Sequence, residues 1–221
     1  MALIPYKEAL SRLMNDVVCR NETEYVSLSA LTGRILAQDV CAQFDAPRFD
    51  NSAMDGYAVC GLQQQNWLLT DSIAAGDATH GLQLQTGQAM RILTGAAIPA
   101  GTEAVIAQED VNVLDGLLVC DRPLKSGQHI RRLAEEYAAG EVLLPAQMRL
   151  NAAAVGVIAS QGLQHVACFR RIRITVLSSG NELQVPGCEL KENQIYDSNR
   201  AMLLAALSDA CFEVSDGGLL A

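Results

Sequence analysis

The sequence has no paired cysteines, no histidine cluster, no basic run and no apolar stretch long enough to span a bilayer. Each absence removes a class of function. The seven cysteines, Cys19, Cys41, Cys60, Cys120, Cys168, Cys188 and Cys211, are scattered and odd in number. Neither a disulfide framework nor a zinc ribbon is expected. The expectation is reduced, mostly buried thiols in a cytoplasmic protein. His80, His129 and His165 are too far apart for ordinary metal-ligand spacing. Gly, Gln, Arg or Asp interrupts every apolar run well before the ~20 residues a membrane helix needs. Residues 1–14 (MALIPYKEALSRLM) lack a charged segment followed by an apolar block, so no signal peptide is expected. With 16 Lys and Arg against 25 Asp and Glu, the net charge of −9 repels nucleic acid and anionic membrane. A P-loop, a G-x-G-x-x-G fingerprint and a nucleophile–base pair are all missing, as are internal repeats and low-complexity segments.

What remains is a chain of 221 residues, half of them hydrophobic and 19% charged. That is enough for one large domain or two to three small ones with a sizeable core. Residues 5–18 read as an amphipathic helix, with Pro5 in the first turn and Ala9, Leu10, Leu13 and Val17 near one face. A short strand follows at 25–28, then a second short helix over 29–36, capped by Ser29. From Cys41 to about Gly140, short apolar runs alternate with Gly, Pro, Asp and Asn (57–59, 67–69, 90–93, 104–107, 117–119), which predicts a mostly-β domain with tight turns. Residues 141–150 read as a strand pair around Pro145, and Asn151 as the cap of an Ala-rich helix ending at Gly162. A buried-type strand at 173–177, a helix over 198–210 capped by Asp197 or Ser198, and a strand from Phe212 open a parallel α/β unit. At most two of its strands precede Ala221, which leaves Leu203, Leu204 and Leu207 uncovered and predicts association into a dimer or larger species.

Four segments carry candidate chemistry. Residues 49–59 (FDNSAMDGYAV) place Asp50, Asn51, Ser52 and Asp55 on a loop that Gly56 lets turn sharply. For Asp50 the reading is turn capping. For Asp55, beside a glycine, it is binding of Mg²⁺ or a polar substrate. Residues 91–110 (RILTGAAIPAGTEAVIAQED) put Thr94 and Gly95 at a strand end, where an amide and a hydroxyl hold an anion or merely close a hairpin. Residues 126–140 (SGQHIRRLAEEYAAG) pair Arg131 and Arg132 with Glu135 and Glu136, either as anion contacts or as a solvated ion-pair surface. Residues 177–183 (LSSGNEL) place Glu182 just past the carboxyl end of a strand, where open parallel sheets bind ligands. Residues 195–200 (IYDSNR) place Asp197 and Ser198 at a helix start, where capping is their expected work. An anionic ligand on so acidic a chain needs local arginines or a divalent cation.

In this order the segments resemble the landmarks of the molybdopterin molybdenumtransferases, the MoeA and gephyrin E-domain family, over nearly the whole chain. The resemblance implies an α/β and mostly-β multidomain, elongated fold. It implies a linking and dimerisation domain over 21–41 and 141–171, a mostly-β domain over 42–140, and an incomplete parallel α/β, molybdopterin-binding-like domain from 1–20 and 172–221. It implies Mg²⁺-dependent insertion of molybdate into adenylylated molybdopterin with release of AMP, in a cytoplasmic homodimer supplied by a molybdopterin adenylyltransferase, with no nucleic acid or membrane partner. Residue by residue, Asp55, Thr94, Glu136 and Glu182 fall on catalytic positions and Asp55 and Glu182 on metal-holding ones, with Arg131, Arg132, Ser179 and Gly180 as substrate contacts. The sequence departs from the family at Ala134 (commonly Gly), Glu136 (an Asp position) and Asn181 (an Asp position), which allows an inactive paralogue or a non-catalytic dimerisation module. Family members continue well beyond this length, so the chain alone is expected to lack transferase activity.

Overall fold

The computed structural model describes residues 4–17, 21–77 and 81–220. Cys19, His80 and the expected helix end at Val18 lie outside the described residues. The fold is mostly β, with α-helices at Tyr6–Asp16, Ala152–Ser160 and Ser198–Ala206 among the described residues. No helix there is long and apolar enough to cross a membrane. The chain divides into two compact units, Cys41–Glu141 and the combination of Met1–Val40 with Val142–Ala221.

The unit Cys41–Glu141 is organised by a six-stranded sheet in the order Ala104–Ala107, Gly56–Val59, Gln88–Ile92, Asn66–Ile73, Leu117–Val119, Asn112–Leu114. Only the contact between Asn66–Ile73 and Gln88–Ile92 is parallel. The strands Gly56–Val59 and Ala104–Ala107 are buried at every position, which is why they read in sequence as unbroken apolar runs rather than alternations. Tyr57, Val59, Trp67 and Ile106 pack in one cluster, while Ala58, Met90, Ile92 and Val105 pack in another. Successive residues point to opposite faces, so the sheet has a core on each side. The hairpin between Asn112–Leu114 and Leu117–Val119 turns on Asp115 and Gly116, both at positive φ (51° and 80°), the two-residue turn that suits the strand twist.

In the other unit, Thr23–Ser27 pairs antiparallel with His165–Phe169. Val26, Leu31, Leu36, Leu150, Ile158 and Cys168 form its core. Asn151 caps the helix Ala152–Ser160 by accepting the Ala154 amide at 2.9 Å. The expected helix over 29–36 does not form. A 3-10 turn, Leu28–Ala30, leads into irregular chain in which Gly33 adopts φ 81°. The Gly33 and Leu36 amides donate to the Leu150 and Met148 carbonyls. Leu31 and Leu36 are fully buried, and tertiary hydrogen bonding overrides the local helical reading. The strand pair around Pro145 reduces to one strand, Val142–Leu144, and an isolated bridge between Arg149 and Ile35. Ile172–Ser179 and Phe212–Leu220 pair in parallel, connected through Ser198–Ala206, the helix read over 198–210.

Candidate functional site

The site in the unit Cys41–Glu141 is built around residues 50–55. The Asp50 carbonyl accepts the Ile98 amide, and Ser52 exchanges backbone bonds with Gly95 and Ala96. On the other side, Asn51–Ser52 pairs antiparallel with Ile130–Arg131. One short segment therefore joins the 94–98 turn to the 130–137 turn, three stretches far apart in sequence. Three of its four polar side chains are used in making it. The buried Ser52 hydroxyl donates to the Met54 carbonyl at 2.6 Å and accepts the Met54 amide. The Asn51 amide donates to the Phe49 carbonyl. Asp50 accepts the Leu133 amide at 2.8 Å on Oδ1 and the Arg132 guanidinium at 2.6 Å on Oδ2. These contacts, the Leu133 amide foremost, hold the Asp50 carboxyl below its usual range.

Asp55 is the fourth. The strand it precedes pairs with Gln88–Ile92 so that Gly56 faces Ile92 and Tyr57 faces Arg91. Asp55 and Thr94 thus emerge together at one end of neighbouring strands. Asp55 Oδ1 accepts the Thr94 amide at 2.7 Å and the Thr94 hydroxyl at 2.8 Å. Among the described residues Oδ2 has no hydrogen-bond partner. The Thr94 amide, then its hydroxyl and the nearby Arg91 charge, lower the Asp55 pKa, so the carboxylate is ionised at neutral pH. Gly56 does not make the expected sharp turn. It begins the strand, and its missing side chain serves close packing against Ile106.

The 130–137 turn presents the remaining candidates of this unit. The Arg132 amide is accepted by Glu135 at 2.7 Å, the Ala134 and Glu136 amides donate to the Pro47 and Ala46 carbonyls, and Arg131 lies 3.7 Å from Glu136 across an exposed ion pair. Ala134 has φ 59°, the left-handed conformation that favours glycine. Arg132 is engaged by Asp50, whereas among the described residues Arg131 holds only its loose partner. No local sequence pattern marks Arg91 as part of this site. It lies over the Tyr57 ring at 6.0 Å, and a strand-pairing register is the signal that would have found it.

Ser179, Gly180 and Glu182 belong to the other unit, at the carboxyl end of Ile172–Ser179. A Cβ on Gly180 would lie 2.6 Å from a Glu182 carboxylate oxygen, so the space beside this glycine is filled by Glu182 itself. The Glu182 carbonyl accepts the Ile195 amide at 2.8 Å, fixing the loop. Asp197 caps the helix Ser198–Ala206 through the Arg200 amide, and its other oxygen takes the Arg200 guanidinium at 2.8 Å. Arg200 also grips Asp216.

No group of three or more His, Cys, Asp and Glu is gathered among the described residues. His129 is turned to the Val105 carbonyl at 3.1 Å. The open Asp55 oxygen suits a Mg²⁺ ion that keeps several waters and takes its other oxygens from substrate, and does not suit an all-protein cage.

The sequence profile of the MoeA N-terminal region (domain I and II) matches residues 4–162. The chain is 39% identical over 225 residues to the molybdopterin molybdenumtransferase of Haemophilus influenzae, covering 99% of this chain and 55% of that protein. It is 39% identical over 200 residues to molybdopterin molybdenumtransferase 2 of Mycobacterium tuberculosis, covering 87% and 49%. The crystal structure of the molybdopterin biosynthesis moeA protein from Pyrococcus horikoshii superposes with a TM-score of 0.88 at 32% identity, over 99% of this chain and 60% of that one. The chain spans about half the length of the curated relatives it matches.

Proposed function

This chain belongs to the MoeA family, and from that membership we propose that its protein works in molybdenum cofactor biosynthesis, inserting molybdate into adenylylated molybdopterin in a Mg²⁺-dependent reaction that releases AMP. The observation that carries the reading is the exposed, ionised carboxylate of Asp55, held on one oxygen by Thr94 with the other left without a partner among the described residues. Mg²⁺, when bound, supplies positive charge that offsets the substrate's phosphates and the departing adenylate. Asp55 and Glu182 hold that ion or position the adenylate. Glu136 completes the acidic set. Arg131 is the more available anion contact, since Arg132 is committed to Asp50. Ser179 and Gly180 contribute backbone beside Glu182.

In this reading the protein is a cytoplasmic homodimer that takes its substrate from a molybdopterin adenylyltransferase. Nucleic acid and membrane play no part. The chain spans about half the length of its curated relatives, and the activity proposed is that of the full-length gene product. A second reading, a non-catalytic dimerisation module of the same fold, draws on the left-handed Ala134 and on Glu136, where the family resemblance leads one to expect Gly and Asp. The test is AMP release and cofactor formation by the full-length gene product given adenylylated molybdopterin, molybdate and Mg²⁺. Activity that vanishes in Asp55→Ala supports the enzyme. An inactive but dimeric intact protein supports the module.

A further inference from the structure

We infer that Thr94 is a positioning residue, which acts by holding Asp55 rather than by touching substrate. The inference rests on the site reading above and gives Thr94 a different task from a direct substrate hydrogen bond. A threonine hydroxyl has one proton to donate, and here that proton is spent on Asp55 Oδ1 at 2.8 Å. The Thr94 amide, 2.7 Å from the same oxygen, is spent there too. One carboxylate oxygen thus takes both donors. Two hydrogen bonds hold the carboxylate, and Oδ2 alone is left without a partner among the described residues.

The strand ends would not achieve this by themselves. Asp55 precedes Gly56–Val59 and is exposed, so burial does little to choose its rotamer. The turn at 94–96 is anchored independently of Thr94's side chain, by the Gly95 amide on the Ser52 carbonyl at 2.9 Å and the Ser52 amide on the Ala96 carbonyl at 3.0 Å. Removing the hydroxyl therefore leaves the turn in place and the amide contact intact, and frees the carboxylate to rotate about its one remaining hydrogen bond. A charged ligand met by a rotating carboxylate binds with much the same affinity but reacts from fewer productive geometries, and misplacement by about 1 Å costs on the order of 100-fold in rate.

The experiment uses the full-length gene product with adenylylated molybdopterin, molybdate and Mg²⁺, and compares Thr94→Val, Thr94→Ser, Asp55→Asn and the double variant Asp55→Asn/Thr94→Val. Expected are a kcat for Thr94→Val reduced roughly 10- to 100-fold with KM changed less than about 3-fold, recovery in Thr94→Ser, and no further loss when Thr94→Val is added to Asp55→Asn. A crystal structure of Thr94→Val should show the 94–96 turn unmoved and the Asp55 carboxylate displaced or in several orientations. An unchanged Asp55 in that structure, a rise in KM as the main effect, or a further loss in the double variant overturns the inference and leaves the site reading standing. Full activity in Asp55→Asn overturns the site reading, and the inference falls with it.

Discussion

The backbone of Gly56 lies against the carbonyl of Ile106 so closely that a Cβ added to the glycine would be 2.0 Å from that oxygen. The neighbour is backbone in a paired strand and cannot swing away. Gly56→Ala should therefore destabilise the protein by about 2 kcal/mol or more through overpacking. Gly156 is the control. It lies in the helix Ala152–Ser160 with open space where a Cβ would go, so Gly156→Ala should stabilise by about 0.5–1 kcal/mol. Urea denaturation of both variants checks the pair. Equal and opposite signs are not required, but a neutral Gly56→Ala would remove the packing argument.

What could be read from the sequence divides along the range of the interactions. Ala104–Ala107 was legible because a strand buried on both faces needs a continuous apolar run. The helix Ala152–Ser160 was legible because its cap, Asn151, is adjacent. The segment 29–36 reads as a helix but does not form one, because its partners, around residues 148–150 and 167–168, are more than a hundred residues away. No local pattern reports them. The same holds for the site. Asp55 and Thr94 could each be singled out from Gly-flanked polar positions, but not the bond between them across 39 positions. The capping role read for Asp197 was local and is seen in the structure, while its neighbour Arg200's grip on Asp216 was not anticipated.

Ala134 should be a site of easy stabilisation. Its φ of 59° is costly for any residue with a Cβ and free for glycine. The turn is held there by the Ala134 amide on the Pro47 carbonyl at 3.1 Å and by Asp50 on the preceding residue. Ala134→Gly should raise stability by about 0.5–1 kcal/mol, the strain relieved being larger than glycine's added unfolded-state entropy. Thermal or urea unfolding measures it. A destabilised variant would mean that the backbone at 134 relaxes in solution.

Acid should weaken the fold through a defined set of aspartates. Leu133 and Arg132 lower the pKa of Asp50, Arg200 that of Asp197, and the Cys211 amide with Arg149 that of Asp209. Each folded value lies below the unfolded one, about 3.9. Between the two the unfolded chain binds more protons, so these groups stabilise fully above the unfolded value and lose that contribution as pH falls through the folded values. The urea midpoint should be flat with respect to these groups above about pH 5 and fall below about pH 4. Asp50→Asn should make the fall shallower. A midpoint unchanged between pH 5 and pH 3 would contradict the assignment.

Arg200 offers the sharpest contrast between a buried and an exposed partner. Asp197 is 2% exposed and meets the Arg200 guanidinium at 2.8 Å, whereas the Asp216 side chain is 47% exposed. Replacing Arg200 by Met strands a carboxylate that water barely reaches, and a buried charge stripped of its partner is costly. Replacing Asp216 by Asn leaves Arg200 paired with Asp197, and water takes the place of the lost contact. Arg200→Met should therefore lower the melting temperature clearly more than Asp216→Asn. Asp197→Asn added to Arg200→Met should recover part of the loss, because the amide needs no counter-charge and its oxygen still accepts the residue 200 amide at the helix start. If the two single variants melt together, Asp197 is not the charge that Arg200 is there to neutralise.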